Sequence, residues 1–224
     1  MSILISATPH PFELDLAHAA VIVIDAQNDF CHRDGYCQSE LSLDGAPVRP
    51  IFEPIRRLTS WARTQNVPVI WTVEAHQSDL SDLPACKARR YQNAGYPVGS
   101  EGEMGRFLVR GEWGAQVLDE LAPLESELVL PKPAQSIWTN TDLEATLNER
   151  GITHLLLCGV TTQCCVLASY RAANDLGFWS LLVEDCCAAF DAREHQAAIE
   201  VIVSEGGAVG WVCHSTDVIN NKST

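Results

Sequence analysis

The chain has 224 residues, 46% of them hydrophobic, and a formal net charge of −14 at pH 7. This length and composition predict a single globular domain over 1–224, and the charge excludes nucleic acid and anionic membranes as partners, because phosphate contacts need clustered lysine and arginine. No apolar run reaches the roughly 20 residues of a membrane helix, and the N-terminus lacks the basic start and apolar core of a signal peptide, so we expect a cytoplasmic protein.

Taken in order, the first half of the chain predicts two buried strands, a helix and two long loops. An extended arm over 1–17 leads to the apolar strand Ala19–Ile24, which ends in Asp25. The other expected elements are a loop over 31–50, a helix over 51–66, a strand over 67–76 and an irregular stretch over 77–107. Loops as long as the last are uncommon in compact domains unless they are functional or contact another subunit.

The second half continues the same alternation of strand and helix. The expected elements are a short helix from Trp113, a strand over 127–132 ending in Lys132, a helix over 141–151, strands over 152–158 and 179–190, a helix over 195–207 and a strand over 208–214. Such alternation predicts a mainly parallel, doubly wound sheet in a three-layer α/β/α fold.

Cysteine chemistry concentrates around one strand end. The nine cysteines include two adjacent pairs, Cys164 with Cys165 and Cys186 with Cys187, which do not form a disulfide framework. Cys165 follows the strand over 152–158 and lies in the first turn of a further predicted helix that ends at Gly177, where backbone N–H groups and the helix dipole stabilise a thiolate. The sequence therefore makes Cys165 a candidate nucleophile.

Three complementary groups follow three different strands. Since the carboxyl ends of parallel strands meet at one edge, Asp25, Lys132 and Cys165 are expected to lie together. A thiol needs a proton acceptor, and an anion needs a positive partner, so this set suits nucleophilic catalysis.

The segments IDAQNDF, LPKP and GVTTQCCV resemble the isochorismatase-like cysteine hydrolase family over nearly the whole chain. The resemblance implies a nicotinamidase-type fold, with Asp25 as general acid/base, Lys132 as positive partner and Cys165, directly before Val166, as nucleophile. It also implies a cis peptide before Thr161, an oxyanion hole from the N–H groups of Thr161 and Cys165, no cofactor, and assembly as a homo-tetramer.

The branch of the family is a further question. Nicotinamidases bind zinc through an Asp-x-His segment and another histidine, whereas here Glu74 and His76 have no second histidine close by, so we expect no metal. Several stretches, among them AHQSDLSDLPACK and LLVEDCCAAFD, look most like enzymes that hydrolyse biuret. A glutamine that recognises substrate in those enzymes corresponds to Glu205, and a carboxylate, which only accepts hydrogen bonds, suits the longer ureide triuret.

Other interpretations stay open. Phe30, Tyr36 and Trp138 are candidates for a substrate pocket, although they suit the core or a subunit contact equally well. The closest alternative function is a related amidase for ureidoacrylate, an N-carbamoyl amino acid or a plain amide. A cysteine-rich metal or redox protein is disfavoured because no C-x-x-C occurs, and a dinucleotide binder because no strand is followed by G-x-G-x-x-G.

Overall fold

The computed structural model describes residues 2–121 and 123–221. Within them the chain forms ten strands, β1 Ser2–Ile5, β2 Phe12–Asp15, β3 Ala19–Ile24, β4 Val69–Glu74, β5 Glu101–Gly102, β6 Gly105–Arg106, β7 Leu128–Lys132, β8 His154–Val160, β9 Trp179–Ala188 and β10 Trp211–Cys213. The same residues form eight α-helices, α1 Asn28–Cys31, α2 Tyr36–Ser39, α3 Phe52–Thr64, α4 Ala85–Ala94, α5 Leu143–Glu149, α6 Leu167–Asp175, α7 Ala192–Val203 and α8 Ser215–Ile219.

Six strands form one parallel sheet in the order β10-β9-β8-β3-β4-β7. The chain builds β3, β4 and β7 outward in one direction, returns to place β8 beside β3, and continues through β9 to β10 in the other. The strand order therefore reverses between β3 and β8, which is where open α/β sheets form a ligand crevice at their carboxyl edge. The predicted doubly wound fold is confirmed.

The apolar runs form strands because both faces of the sheet are covered. All six residues of β3 are fully buried, as are Leu155, Leu156 and Leu157 of β8. Helices pack on both faces of the sheet, so the fold has three layers. Helix α3 presents its buried Ile55, Leu58 and Ala62 to the core. A parallel sheet buried on both sides requires continuous hydrophobic strands, which is the pattern that the sequence shows.

The predictions for the N-terminal arm and for the helix from Trp113 were wrong. The expected arm over 1–17 contains the antiparallel hairpin of β1 and β2. The helix expected from Trp113 is replaced by two short 3₁₀ turns, Trp113–Ala115 and Asp119–Leu121. The residues between these turns are extended because their backbone pairs with the segment after β3, through Asn28 N–H to Gln116 C=O and Leu118 N–H to Ala26 C=O, each 2.9 Å.

The stretch expected to be irregular, 77–107, contains α4 and the small hairpin of β5 and β6. Helix α4 begins after Pro84 and ends at Gly95, whose φ is 92°. Its side chains reach the carboxyl edge of the sheet, so this segment belongs to the candidate site described below.

No helix among the described residues has the length and apolar character needed to cross a membrane.

Candidate active site

Asp25 is fully buried directly after β3, with a φ of 52°. Its Oδ1 accepts a hydrogen bond from the Thr72 hydroxyl at 2.9 Å, and its Oδ2 lies 2.7 Å from the Lys132 ammonium. Its backbone N–H donates to Thr72 C=O at 3.0 Å. These contacts fix the carboxylate at the crevice between β3 and β8.

Lys132 is the last residue of β7 and is also fully buried. Its Nζ contacts Asp25, donates to Ala134 C=O at 2.7 Å, and lies 3.7 Å from Glu74 Oε2. Burial by itself would lower the pKa of Lys132, but Asp25, Cys165 and Glu74 outweigh it and raise this pKa. The lysine is therefore a permanent positive charge in the site.

Cys165 lies in a π-helical turn, Thr162–Val166, that joins β8 to α6. Its thiol donates to Glu74 Oε2 at 3.3 Å, and its carbonyl accepts a 2.6 Å hydrogen bond from the Ser169 hydroxyl. The peptide before Thr161 is cis, as the resemblance implied. The structure thus brings the side chains of Asp25, Lys132 and Cys165 to one edge of the sheet, as the strand ends predicted.

Gly159 allows β3 and β8 to approach closely at this edge. Its φ is 118°, and a Cβ at this position would lie 2.0 Å from the Ile24 carbonyl oxygen. No side chain fits in that space without displacing the backbone. Because Ile24 precedes Asp25, this contact sets the separation between the strands that carry the acid and the sulfur.

A second buried carboxylate, Glu74, was not predicted to take part in the chemistry. It ends β4 and accepts hydrogen bonds at Oε1 from Lys87 Nζ at 2.6 Å and from the Tyr91 hydroxyl at 3.0 Å. The sequence placed Glu74 at a strand end, but Lys87 and Tyr91 fall in α4, which was expected to be loop. The signal available was the spacing of Lys87 and Tyr91, which puts both on one helix face.

The pKa values of the Asp25 and Glu74 carboxylates are shifted in opposite directions. Burial raises the pKa of Asp25 and Glu74 raises it further, against the effect of Lys132. Burial would also raise the pKa of Glu74, but Lys132 and Lys87 outweigh it and lower this pKa to about 2. The site therefore contains one carboxylate that stays ionised and one, Asp25, that takes up a proton more readily.

The nucleophile candidate is a protonated thiol at rest. The neighbouring Cys164 thiol and burial raise the pKa of Cys165 well above the usual value, with Asp25 and Glu74 adding to the shift and Lys132 opposing it. A base is consequently needed to generate the thiolate.

A cavity of about 520 Å³ opens above Cys165. Its walls are largely aromatic and apolar, and its polar groups include four acidic side chains. The lining residues are Phe30, Cys37, Leu41, Leu43, Asp44, Glu74, Tyr91, Tyr96, Phe107, Thr161, Gln163, Cys164, Cys165, Phe190, Asp191 and Glu194.

Of the predicted substrate-binding residues, only Phe30 lines this cavity. Tyr36 stacks on the cavity-lining Phe107, with the ring centroids 4.3 Å apart, and lies behind the cavity wall. Trp138 stacks on Phe178 at 5.2 Å, and its indole N–H donates to Ser169 C=O at 2.8 Å, so it packs under the nucleophile turn.

Glu205 does not reach the cavity. It is exposed and follows α7, whose first residues border the cavity and whose 12 residues carry the chain about 18 Å away. The expectation that Glu205 recognises substrate has no support from this placement.

A metal does not fit the donors at this edge. Oxygens of Asp25 and Glu74 and the sulfur of Cys165 lie within 4.8 Å of one another and form the one group of three such ligands among the described residues. Lys132 already supplies positive charge to both carboxylates, at 2.7 and 3.7 Å. The lone pair of His76 Nε2 faces Lys87 Nζ at 2.7 Å. Lys87 and Lys132 therefore already supply the positive charge that a bound cation would bring to these donors.

Comparisons with known proteins agree with this architecture. The family model described as Isochorismatase domain matches residues 19–216. The ureidoacrylate amidohydrolase RutB of Klebsiella pneumoniae subsp. pneumoniae is 30% identical over 220 residues, covering 95% of this chain and 93% of that protein.

Two solved structures share the fold. A cysteine hydrolase from Pseudomonas syringae pv. phaseolicola superposes with a TM-score of 0.79 at 24% identity, covering 97% of this chain and 95% of the other. The nicotinamidase PncA from Bacillus subtilis superposes with a TM-score of 0.70 at 25% identity, covering 88% of this chain and 99% of the other.

Proposed function

Because the chain belongs to the isochorismatase domain family, we propose that it is a cysteine-dependent amidohydrolase that cleaves a C–N bond of a small ureide. The observation that carries the proposal is the convergence of Asp25, Lys132 and Cys165 at one edge of the sheet, where Cys165 lines a cavity. A buried thiol beside a carboxylate and an ammonium has the groups that acyl transfer through a thioester requires.

The first half of the reaction acylates Cys165. Asp25 takes the thiol proton, the sulfur forms a bond to the substrate carbonyl carbon, and the carbonyl oxygen moves toward the N–H groups of Thr161 and Cys165. As the C–N bond breaks, Asp25 returns the proton to the departing nitrogen. Lys132 keeps its charge throughout and stabilises the anionic groups around it.

The second half releases the acyl group. Asp25 takes a proton from water, the water oxygen bonds to the thioester carbon, and the C–S bond breaks with return of the proton to sulfur. Each proton that Asp25 accepts is passed on within the same half-reaction, which suits a carboxyl whose pKa burial has raised.

The charge of the cavity favours a neutral ureide, such as biuret or triuret, over a carboxylate substrate. Asp44, Glu74, Asp191 and Glu194 line it, and no lysine or arginine does so among the described residues. Asp191 pairs with Arg193 and Glu74 pairs with Lys87, each at 2.6 Å and with a cation outside the lining, so both are partly neutralised, but Asp44 and Glu194 leave the cavity acidic. Ureidoacrylate, on which the RutB relatives are named to act, carries a carboxylate and would be repelled.

A substrate panel tests the proposal. Purified protein is incubated with biuret, triuret, ureidoacrylate, an N-carbamoyl amino acid and nicotinamide, and ammonia release is measured for each. We expect the neutral ureides to have the highest kcat/KM, and faster turnover of ureidoacrylate would refute the argument from cavity charge.

A matched pair of variants tests the nucleophile. Cys165→Ala should abolish turnover and the covalent adduct seen by intact mass, whereas Cys164→Ala, one residue away and also facing the cavity, should retain both. Retained turnover in Cys165→Ala would remove the mechanism.

The tetrameric assembly and cytoplasmic location implied earlier stay predictions. Light scattering on the purified protein tests the first.

A further inference from the structure

Glu74 accepts a hydrogen bond from the Cys165 thiol. Its Oε2 lies 3.3 Å from Sγ and 3.7 Å from Lys132 Nζ, while its Oε1 is held by Lys87 and Tyr91 on the opposite side. Glu74 is 1% exposed, so these contacts are largely shielded from water. The mechanism above assigns this carboxylate no step.

The contacts around Lys87 hold its ammonium beside Glu74. It reaches inward from α4, is 4% exposed, and donates to Glu74 Oε1 at 2.6 Å and to Pro133 C=O at 2.8 Å. Its third contact is His76 Nε2 at 2.7 Å, and His76 Nδ1 pairs with Asp82 at 3.0 Å. Burial and the adjacent lysine lower the pKa of His76, so the neutral ring offers Lys87 a lone pair.

The buried charges balance only when the thiol keeps its proton. Asp25 pairs with Lys132, and Glu74 pairs with Lys87, at 2.7 and 2.6 Å. A thiolate at Cys165 would add a third negative charge to two positive ones in a largely buried site, which is costly unless a proton is taken up at the same time.

We propose that the Glu74–Lys87 ion pair is a positioning unit that holds the resting Cys165 as an oriented neutral thiol, so that its proton leaves only as substrate is attacked. The inference rests on the proposed function for the role of Cys165 as nucleophile. The thiol hydrogen bond to Oε2 favours the protonated sulfur, and the negative charge at the same atom disfavours the thiolate. Lys87 acts through Glu74, since it keeps that carboxylate ionised and aimed at the sulfur.

The charged and titratable groups that face Cys165 come from every element around it. Those groups are Asp25 after β3, Glu74 at the end of β4, Lys132 at the end of β7, Tyr91 on α4 and Cys164 on its own turn. Asp25 and Lys132 belong to the reaction, so Glu74 is the carboxylate to alter.

The test follows the ionisation of Cys165 without any substrate. The rate of its alkylation by iodoacetamide is measured as a function of pH, with the adduct located by peptide fragmentation because Cys164 is adjacent. In Glu74→Gln the midpoint should fall by about one pH unit, and the rate at pH 7 should rise about three- to tenfold.

Glu127→Gln is the matched control. Glu127 is a mostly buried carboxylate that accepts hydrogen bonds from Arg63 at 2.7 Å and from the Trp71 indole at 2.8 Å. It directly precedes β7, at the end of that strand away from Lys132. It should leave the alkylation midpoint of Cys165 unchanged, and an equal shift in this variant would mean that the effect is general destabilisation.

Lys87→Met and the double variant Lys87→Met/Glu74→Gln complete the cycle. If Lys87 acts through Glu74, the double variant should titrate like Glu74→Gln alone, and since it has no unpaired buried charge it also stands in for Glu74→Gln if that protein does not fold. A wild-type midpoint in both Glu74→Gln and the double variant would overturn the proposal. Because iodoacetamide reports on sulfur alone, this result is independent of which amide the enzyme hydrolyses.

Discussion

Replacing Lys132 by methionine removes the ammonium shared by Asp25 and Glu74 while preserving side-chain length. In the wild type its Nζ lies 2.7 Å from Asp25 and 3.7 Å from Glu74, and both Lys132 and Asp25 are fully buried. Removing one partner of a buried pair leaves the other charge uncompensated, which costs about 3–5 kcal/mol. For a chain of this length that corresponds to a fall in Tm of roughly 6–20 °C.

Urea denaturation followed by far-UV circular dichroism measures this loss. The double variant Lys132→Met/Asp25→Asn is the control, because it removes the charge left behind and should recover most of the lost free energy of unfolding. A loss below about 1 kcal/mol in Lys132→Met, or a double variant no more stable than the single one, would refute the reasoning.

The pH dependence of the same measurement follows from the direction of the Asp25 shift. Burial already raises the pKa of Asp25, and loss of the opposing lysine raises it further. A group with a raised pKa in the folded state binds protons more tightly than in the unfolded chain. The deficit of Lys132→Met should therefore be greatest above the folded pKa and shrink as the pH falls.

Three further predictions concern single side chains. Asp25→Asn should be inactive with every ureide, because an amide cannot cycle a proton, and measurable ammonia release would contradict this. Burial raises the pKa of Asp29 to about 6 although its carboxylate accepts from Leu108 N–H, so its stabilising effect is complete below about pH 4 and lost as the pH rises through 6. The difference in free energy of unfolding between wild type and Asp29→Asn should change by up to about 3 kcal/mol from pH 4 to 7, and a constant difference would argue against it. Tyr170→Phe should lower stability by about 1–3 kcal/mol in urea because it leaves the part-buried backbone N–H of Trp211, which donates to the phenol oxygen at 2.8 Å, without an acceptor.

The strand ends that carry Asp25, Lys132 and Cys165 were predictable because each strand contains a clear apolar run that stops at a polar residue or glycine. Parallel topology then places all three at one edge. Side chains on α4 gave a weaker signal, the i,i+4 spacing of Lys87 and Tyr91. Lys87 and Tyr91 point into a polar site instead of an apolar core, so the helix lacks a hydrophobic stripe and its sequence resembles a loop.

The expectation for Glu205 failed for a reason contained in the same topology. A helix that follows a parallel strand runs back toward the opposite edge of the sheet, so the residues after its C-terminus lie far from a crevice at the carboxyl edge. The residues of α7 that border the cavity are instead those around its start, Asp191 and Glu194.

Gly159 illustrates how a residue without functional groups enters the chemistry. An added methyl group would collide with the Ile24 carbonyl and force the neighbouring backbone apart. Such a separation would lengthen the distance over which the proton must travel from the Cys165 sulfur to the Asp25 carboxylate. In a saturation scan scored by turnover, position 159 should therefore tolerate replacement as poorly as the positions of the side chains that move the proton.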